Sequence, residues 1–204
     1  MGALLLAVLL AAGPAVAHDG APPVAAERRV YPVEGRLPVI HIAPEYTLAA
    51  LDGRTVRSAD FAGKVRLETF IYTRCPDSCP LVSAKLARLQ GLLGARGLLG
   101  RRALLASITL DPEHDTGAVL ARHAATYGAD PHGWLYLRGT PAETRRLLDA
   151  YGGVARPGRM LAHSDWIFLV DGENRVREIY SERLFNPERA LADIASLTAT
   201  ARPR

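Results

Sequence analysis

Cysteine is nearly absent from this chain: its 204 residues carry two, Cys75 and Cys79. Two thiols cannot make a disulfide framework at this size, so folding has to rest on an apolar core. Long uncharged runs are scarce as well. The run from Leu4 to Ala12 falls short of the ~20 residues of a membrane span, and no other charge-free stretch approaches that length. Basic side chains are not gathered into a block; the net charge of +4 is spread over scattered arginines. That describes a solvated surface rather than a nucleic-acid footprint, and no nucleic-acid partner is expected. There is no internal repeat and no low-complexity tract. What remains is enough chain for one domain with a core, by the usual ~100–200 residues per domain.

The chain begins MGALLLAVLLAAGPAVAHDG, a short apolar run followed by the small-x-small triplet Ala15-Val16-Ala17. This reads as an export signal over residues 1–17, although no Lys or Arg precedes the apolar run. The expectation is a mature chain starting at His18 in the periplasm or otherwise exported, without stable membrane insertion after cleavage; an uncleaved signal would leave an N-terminal anchor. No cysteine follows the cleavage site, so lipid attachment is not expected there. Residues 18–43, rich in Pro and Ala, read as an extended leader, and residues 44–200 as the domain.

Within the domain, strand and helix patterns alternate. Tyr46 to Leu51, the turn Asp52-Gly53 and Thr55-Val56 read as a hairpin. Val65 to Tyr72 (VRLETFIY) reads as a strand that runs into the cysteines. Val82, Leu86, Leu89 and Leu93 then recur at helical spacing, so the cysteines lie at a strand-to-helix junction. Ala103 to Leu110 (strand), Thr116 to Tyr127 (helix) and Trp134 to Leu137 (strand) follow. Thr140-Pro141-Ala142-Glu143 combines an N-cap, a first-turn proline and a capping-box glutamate for a helix through Tyr151. Trp166 to Val170 and Val176 to Tyr180 flank the turn Asp171 to Asn174, and Asn186-Pro187 starts a last helix. This order predicts an α/β sandwich, a central mixed β-sheet flanked by helices with an N-terminal extension and a C-terminal hairpin plus helix. It is similar to the thioredoxin-like fold.

The stretch Thr73-Arg74-Cys75-Pro76-Asp77-Ser78-Cys79-Pro80 holds both thiols. Four residues turn a helix about 40° past a full circle, so the two sulfurs face roughly one side. A helix N-terminus, with its unpaired N–H groups, favours the thiolate needed for nucleophilic attack or for metal binding. As a structural bridge the pair would close a very short loop and restrict the unfolded chain little. Structural zinc wants four protein ligands, and there is no second cysteine pair. Soft Cu(I) accepts two or three ligands, and two thiolates with an imidazole suit either oxidation state of copper. A redox dithiol and a copper site both remain open.

Six histidines are available. His41, His123 and His132 have the bland reading of surface or half-buried side chains. His114, in DPEHDT, sits in a loop after a strand where it could face the same end of the sheet as the cysteines, and reads most simply as a surface histidine beside Asp115. His163 follows a glycine-rich stretch and precedes Ser164-Asp165 and the strand from Trp166, in a loop placed to cross the edge of the sheet. His18, if exposed by cleavage, would pair its imidazole with the terminal amine as a Cu(II) chelate.

The segments FIYTRCPDSCP, TLDPEHDT, WLYLRGT and HSDWIFLVDGENRV resemble, in order and spacing, the Sco/SenC family of copper chaperones, exported thioredoxin-like proteins associated with assembly of the dinuclear copper centre of cytochrome c oxidase. The resemblance covers roughly Pro44 to Leu197. It implies copper, as Cu(I) or Cu(II), held by Cys75, Cys79 and His163 and delivered to a copper-accepting protein such as the copper subunit of a respiratory oxidase. It places Asp111 at an acidic position in a loop associated with metallation and partner contact. The family often has Gly where Ile71 stands and Arg or Lys where His114 stands, and many members carry a membrane anchor that is not expected here. The alternative is a thiol-disulfide reductase that keeps a partner's cysteines reduced, with Cys75 attacking, Cys79 resolving and a dithiol reductant regenerating the pair. A copper or redox sensor without a transfer step is a third reading.

Overall fold

Strand and helix alternate as the apolar spacing dictates. The computed structural model describes residues 37–75, 78–155 and 166–200. In chain order they form β1 (His41–Ile42), β2 (Thr47–Ala50), β3 (Thr55–Arg57), β4 (Val65–Ile71), α1 (Ser78–Ala95), β5 (Ala103–Thr109) and α2 (Gly117–Thr126). There follow β6 (Trp134–Arg138), α3 (Pro141–Ala155), β7 (Trp166–Val170), β8 (Arg175–Ser181) and α4 (Pro187–Thr200), with 3-10 turns at Ser58–Phe61 and Glu182–Leu184.

All eight strands join one sheet in the order β1-β8-β7-β4-β5-β6-β2-β3. The β4–β5 and β5–β6 pairs are parallel and the rest antiparallel. Parallel neighbours need crossovers, which α1 and α2 supply. The side-chain alternation of each strand sorts the core into two layers. Val65, Leu67 and Ile71 pack with Val82, Leu86, Leu89 and Leu93 of α1 and with apolar residues of α4, whereas Phe70 packs on the opposite face with Leu147 and Tyr151 of α3. The four α1 residues are each no more than 1% exposed, and burying side chains of this kind contributes roughly 1.5–3 kcal/mol apiece.

Local chemistry fixes the ends of the elements. Gly53 takes φ 81° in the β2–β3 turn, a conformation open to glycine because it lacks Cβ. The capping box at α3 is complete: Thr140 N–H donates to Glu143 Oε2 at 2.7 Å, and Glu143 N–H donates to Thr140 Oγ1 at 3.2 Å. Asn186 Oδ1 caps α4 by accepting from Arg189 N–H at 2.8 Å.

Two features go beyond the sequence pattern. Leu37 is 4% exposed within the apolar core, and Ile40 N–H donates to Val176 O at 2.8 Å, leading into the edge strand β1. These residues fall inside the 18–43 segment expected as leader. Secondly, all seven residues of β4 are buried, Arg66 and Glu68 included. No helix among the described residues is long and apolar enough to cross a membrane.

The registers set up the functional edge. β4 and β5 run side by side from Val65↔Ala103 to Ile71↔Thr109, so the segments that follow them leave the sheet together. β7 runs antiparallel to β4, with Ile167 opposite Thr69, and therefore starts at that same end.

Candidate metal centre

At this edge β4 hands the chain to the cysteine segment. Cys75 closes a turn, its N–H donating to Tyr72 O at 3.1 Å. Its side chain is 8% exposed and joins the apolar layer beneath α1. Cys79 falls in the first turn of α1, as does Pro80; the N–H groups of a first turn have no helical acceptor, so proline there forfeits no helical bond. The junction expected from the sequence is thus in place, with β4 delivering Cys75 and the start of α1 carrying Cys79.

A buried carboxylate ties the cysteine segment down. Asp115 is fully buried and accepts from Thr73 N–H at 3.1 Å, Thr73 Oγ1 at 2.5 Å and Thr109 Oγ1 at 2.6 Å. His114 Nδ1 lies 3.1 Å from Asp115 Oδ1. Because an ionised carboxylate can only accept, that nitrogen carries the proton. Burial alone would push the Asp115 carboxyl up, but the hydrogen bonds from Thr109, Thr73 and His114 outweigh it and hold the group below its ordinary value. At the surface Arg74 Nη2 donates to Asp111 Oδ2 at 2.5 Å, a second tie between the segments that follow β4 and β5. Asp111 N–H in turn donates to Thr109 Oγ1 at 3.0 Å.

From the sequence, His114 reads as a surface histidine beside Asp115 or as one facing the cysteine end of the sheet, while the parts taken by Asp115 itself, Thr73 and Thr109 were not foreseen. The overlooked signal was a threonine at the end of β5 and another two residues past the end of β4, since the alignment of those ends appears only once β4 and β5 are paired.

The other histidines divide clearly. His123 lies on α2 with Nδ1 3.2 Å from Tyr136 Oη and its ring 4.9 Å from that of Tyr127; burial holds it below the ordinary imidazole range. His41 sits on the edge strand β1, and His132 precedes β6 with its N–H donating to Asp130 Oδ1 at 2.9 Å. His18 and His163 lie outside the described residues. Among the described residues no three His, Cys, Asp or Glu side chains gather closely enough to hold a metal ion.

The family profile described as SCO1/SenC matches residues 36–199. The SCO1 protein homolog of Bacillus subtilis (strain 168) is 31% identical over 149 residues, covering 71% of this chain and 76% of that protein. A SCO1/SenC family lipoprotein from Bacillus anthracis superposes with TM-score 0.67 at 21% identity, over 79% of this chain and 98% of the other. The copper-bound structure of Bradyrhizobium japonicum ScoI gives TM-score 0.59 at 26% identity, over 76% of this chain and 99% of the other. The sandwich expected from the strand order is the thioredoxin-like fold of these proteins.

Proposed function

The chain belongs to the SCO1/SenC family, and we propose that it is an exported copper chaperone whose cargo is held by Cys75, Cys79 and His163. The single observation that carries this reading is the shared sheet edge. β4 ends there and leads through Cys75 into the first turn of α1 with Cys79, while β7 begins there at Trp166, three residues after His163. A relative solved with copper bound, Bradyrhizobium japonicum ScoI, supports copper as the cargo.

In this reading one copper ion binds two thiolates and one imidazole. Each thiol gives up its proton to solvent on binding, so uptake releases up to two protons and strengthens as pH rises toward the thiol pKa. Soft thiolates suit Cu(I), and the imidazole extends the set to Cu(II). A partner with better ligands removes the ion through an intermediate in which both proteins share it. The copper subunit of a respiratory oxidase fits that role. Two-electron oxidation of the dithiol to a disulfide removes both sulfur ligands, so a dithiol reductant is required to keep the protein competent. The chain acts in the periplasm or an equivalent exported space.

The alternative, reduction of a partner's disulfide, needs an exposed attacking thiolate. The 8% exposure of Cys75 weighs against its serving as that attacker. Titrating wild-type and His163→Ala protein with Cu(I) and Cu(II) separates the readings. Weakened Cu(II) binding in the variant supports the three-ligand site, and unchanged tight Cu(II) binding sinks it.

A further inference from the structure

We propose that Asp115 is a positioning residue for the copper-binding thiols: by holding Thr73 against the end of β5 it sets where Cys75 enters the site. The inference rests on the copper reading above and adds to it a residue outside the three proposed ligands.

The argument starts from where the donors to Asp115 come from. Thr73 supplies both its N–H and its hydroxyl, at 3.1 and 2.5 Å, from the segment after β4. Thr109 supplies its hydroxyl at 2.6 Å from the last residue of β5. Both oxygens of the carboxylate are used by Thr73, which fixes that residue in translation and rotation. Only Arg74 separates Thr73 from Cys75, and Cys75 N–H is itself bonded to Tyr72 O. The short span between β4 and the first thiol is thus anchored at both ends. Charge-assisted bonds of this kind are shorter and stronger than neutral ones.

Loss of the carboxylate leaves a backbone N–H and two hydroxyls in a largely buried place without their acceptor. The segment then has reason to move toward water. Most of the apolar residues in the two layers come from other elements, although Cys75 itself belongs to the layer beneath α1. It is the position of Cys75 that depends on this contact. In metal sites generally, removing a group that orients a ligand costs 10–100-fold in metal affinity, and that is the size of effect expected here.

The test uses the full exported chain carrying Asp115→Asn, Thr73→Val or Thr73→Ser, with Cys75→Ala as reference. Cu(I) affinity is read by competition with a chromophoric chelator, the alkylation rate of Cys75 in a Cys79→Ser background, and the thermal midpoint on the same samples. Asp115→Asn and Thr73→Val are each expected to lower Cu(I) affinity about 10–100-fold and to change the alkylation rate, and together to lose no more than either alone. Thr73→Ser, which keeps the hydroxyl, is expected to behave as wild type. Thr73→Val leaves Asp115 in place and gives an answer even where Asp115→Asn does not fold. A lowered thermal midpoint with copper affinity and alkylation rate unchanged overturns the proposal and leaves Asp115 a purely structural residue. If Cys75→Ala binds Cu(I) as wild type does, it is the copper reading that fails. The alkylation rate then decides on Asp115 alone, an unchanged rate in Thr73→Val overturning its positioning role.

Discussion

Glu68 and Arg66 form an ion pair at 2.6 Å inside the sheet, with side chains 0% and 1% exposed. Lying two apart on β4, they share the face that packs toward α3. Tyr46 Oη donates to Glu68 Oε1 at 2.6 Å, Tyr151 Oη donates to Oε2, and Arg66 Nη2 donates to Asn174 Oδ1 at 2.5 Å. Burial, and after it the charge of Glu68, pushes both phenols well above their ordinary value, so each keeps its proton and donates it. Desolvation opposes the Arg66 charge, but Glu68 outweighs it and raises the guanidinium further. The network joins the residue before β2 to β4, α3 and the β7–β8 turn. Tyr151 belongs to α3, the helix that precedes the segment carrying His163.

Removing one partner is therefore expected to cost more than removing the pair. Glu68→Ala leaves a guanidinium buried without its carboxylate, for a loss of about 3–5 kcal/mol. Replacing Arg66 and Glu68 together by leucine is expected to cost less than the single change. Urea unfolding followed by tryptophan fluorescence measures both. A Glu68→Ala loss no larger than that of the double variant would show that water reaches the site and screens the stranded charge.

The same strand shows what the sequence could disclose. VRLETFIY was legible as a strand because its β-branched and aromatic residues dominate, and the boundaries agree to within one residue. The α1 stripe and the α3 capping box were legible because their partners are three or four residues away. Burial of Arg66 and Glu68 was not, since Tyr46, Tyr151 and Asn174 come from three other parts of the chain. Asp115 escaped for the same reason, with Thr73 42 residues away. Edge strand β1 was hidden in a proline-rich segment that has only two paired residues to show. Cys75 and Cys79 were located by their spacing at a strand-to-helix junction, a local signal, and the coupling of that junction to Asp115 is a long-range one.

Packing under the cysteine helix yields a second prediction. Leu89 is fully buried in the layer between α1 and the sheet, so Leu89→Ala is expected to lower stability by about 2–5 kcal/mol through lost burial and a residual cavity. Leu184 is 84% exposed, and Leu184→Ser is expected to stay within about 0.5 kcal/mol of wild type. Chemical denaturation of the two variants side by side checks the contrast.

Acid stability should respond to Asp171. Burial would raise its carboxyl, but hydrogen bonds from Arg175 and Arg177, together with backbone N–H groups, outweigh this and lower it from the ordinary value of 3.8. Arg177 Nη1 donates to Asp171 Oδ2 at 2.7 Å, while its Nε reaches Leu37 O at 3.1 Å, so the carboxylate also steadies the segment before β1. A carboxyl whose folded pKa lies below its unfolded one contributes stability above the unfolded value and loses it as pH falls through the folded value. Wild-type stability is therefore expected to decline below pH 3.8, with Asp171→Asn less stable at neutral pH and flatter in the acid range. Thermal midpoints between neutral pH and about pH 2 check this, and an identical acid slope in the two proteins counts against it.

Thiol accessibility gives the last prediction, and it bears on which chemistry the cysteines serve. Exchange with a disulfide requires a thiolate that another sulfur can approach in line. Cys75, 8% exposed and packed in the apolar layer under α1, offers little room for that approach, while a small ion needs only a lone pair at the edge of the layer. In a Cys79→Ser variant the remaining thiol is expected to react with an aromatic disulfide at least about tenfold more slowly in the folded protein than in urea, as buried cysteines do. Copper is expected to slow it further, because a thiolate bound to the metal is less nucleophilic and less accessible to an attacking disulfide. Equal rates in the folded and unfolded states would place Cys75 in open reach of a partner disulfide and move the balance toward the reductase reading.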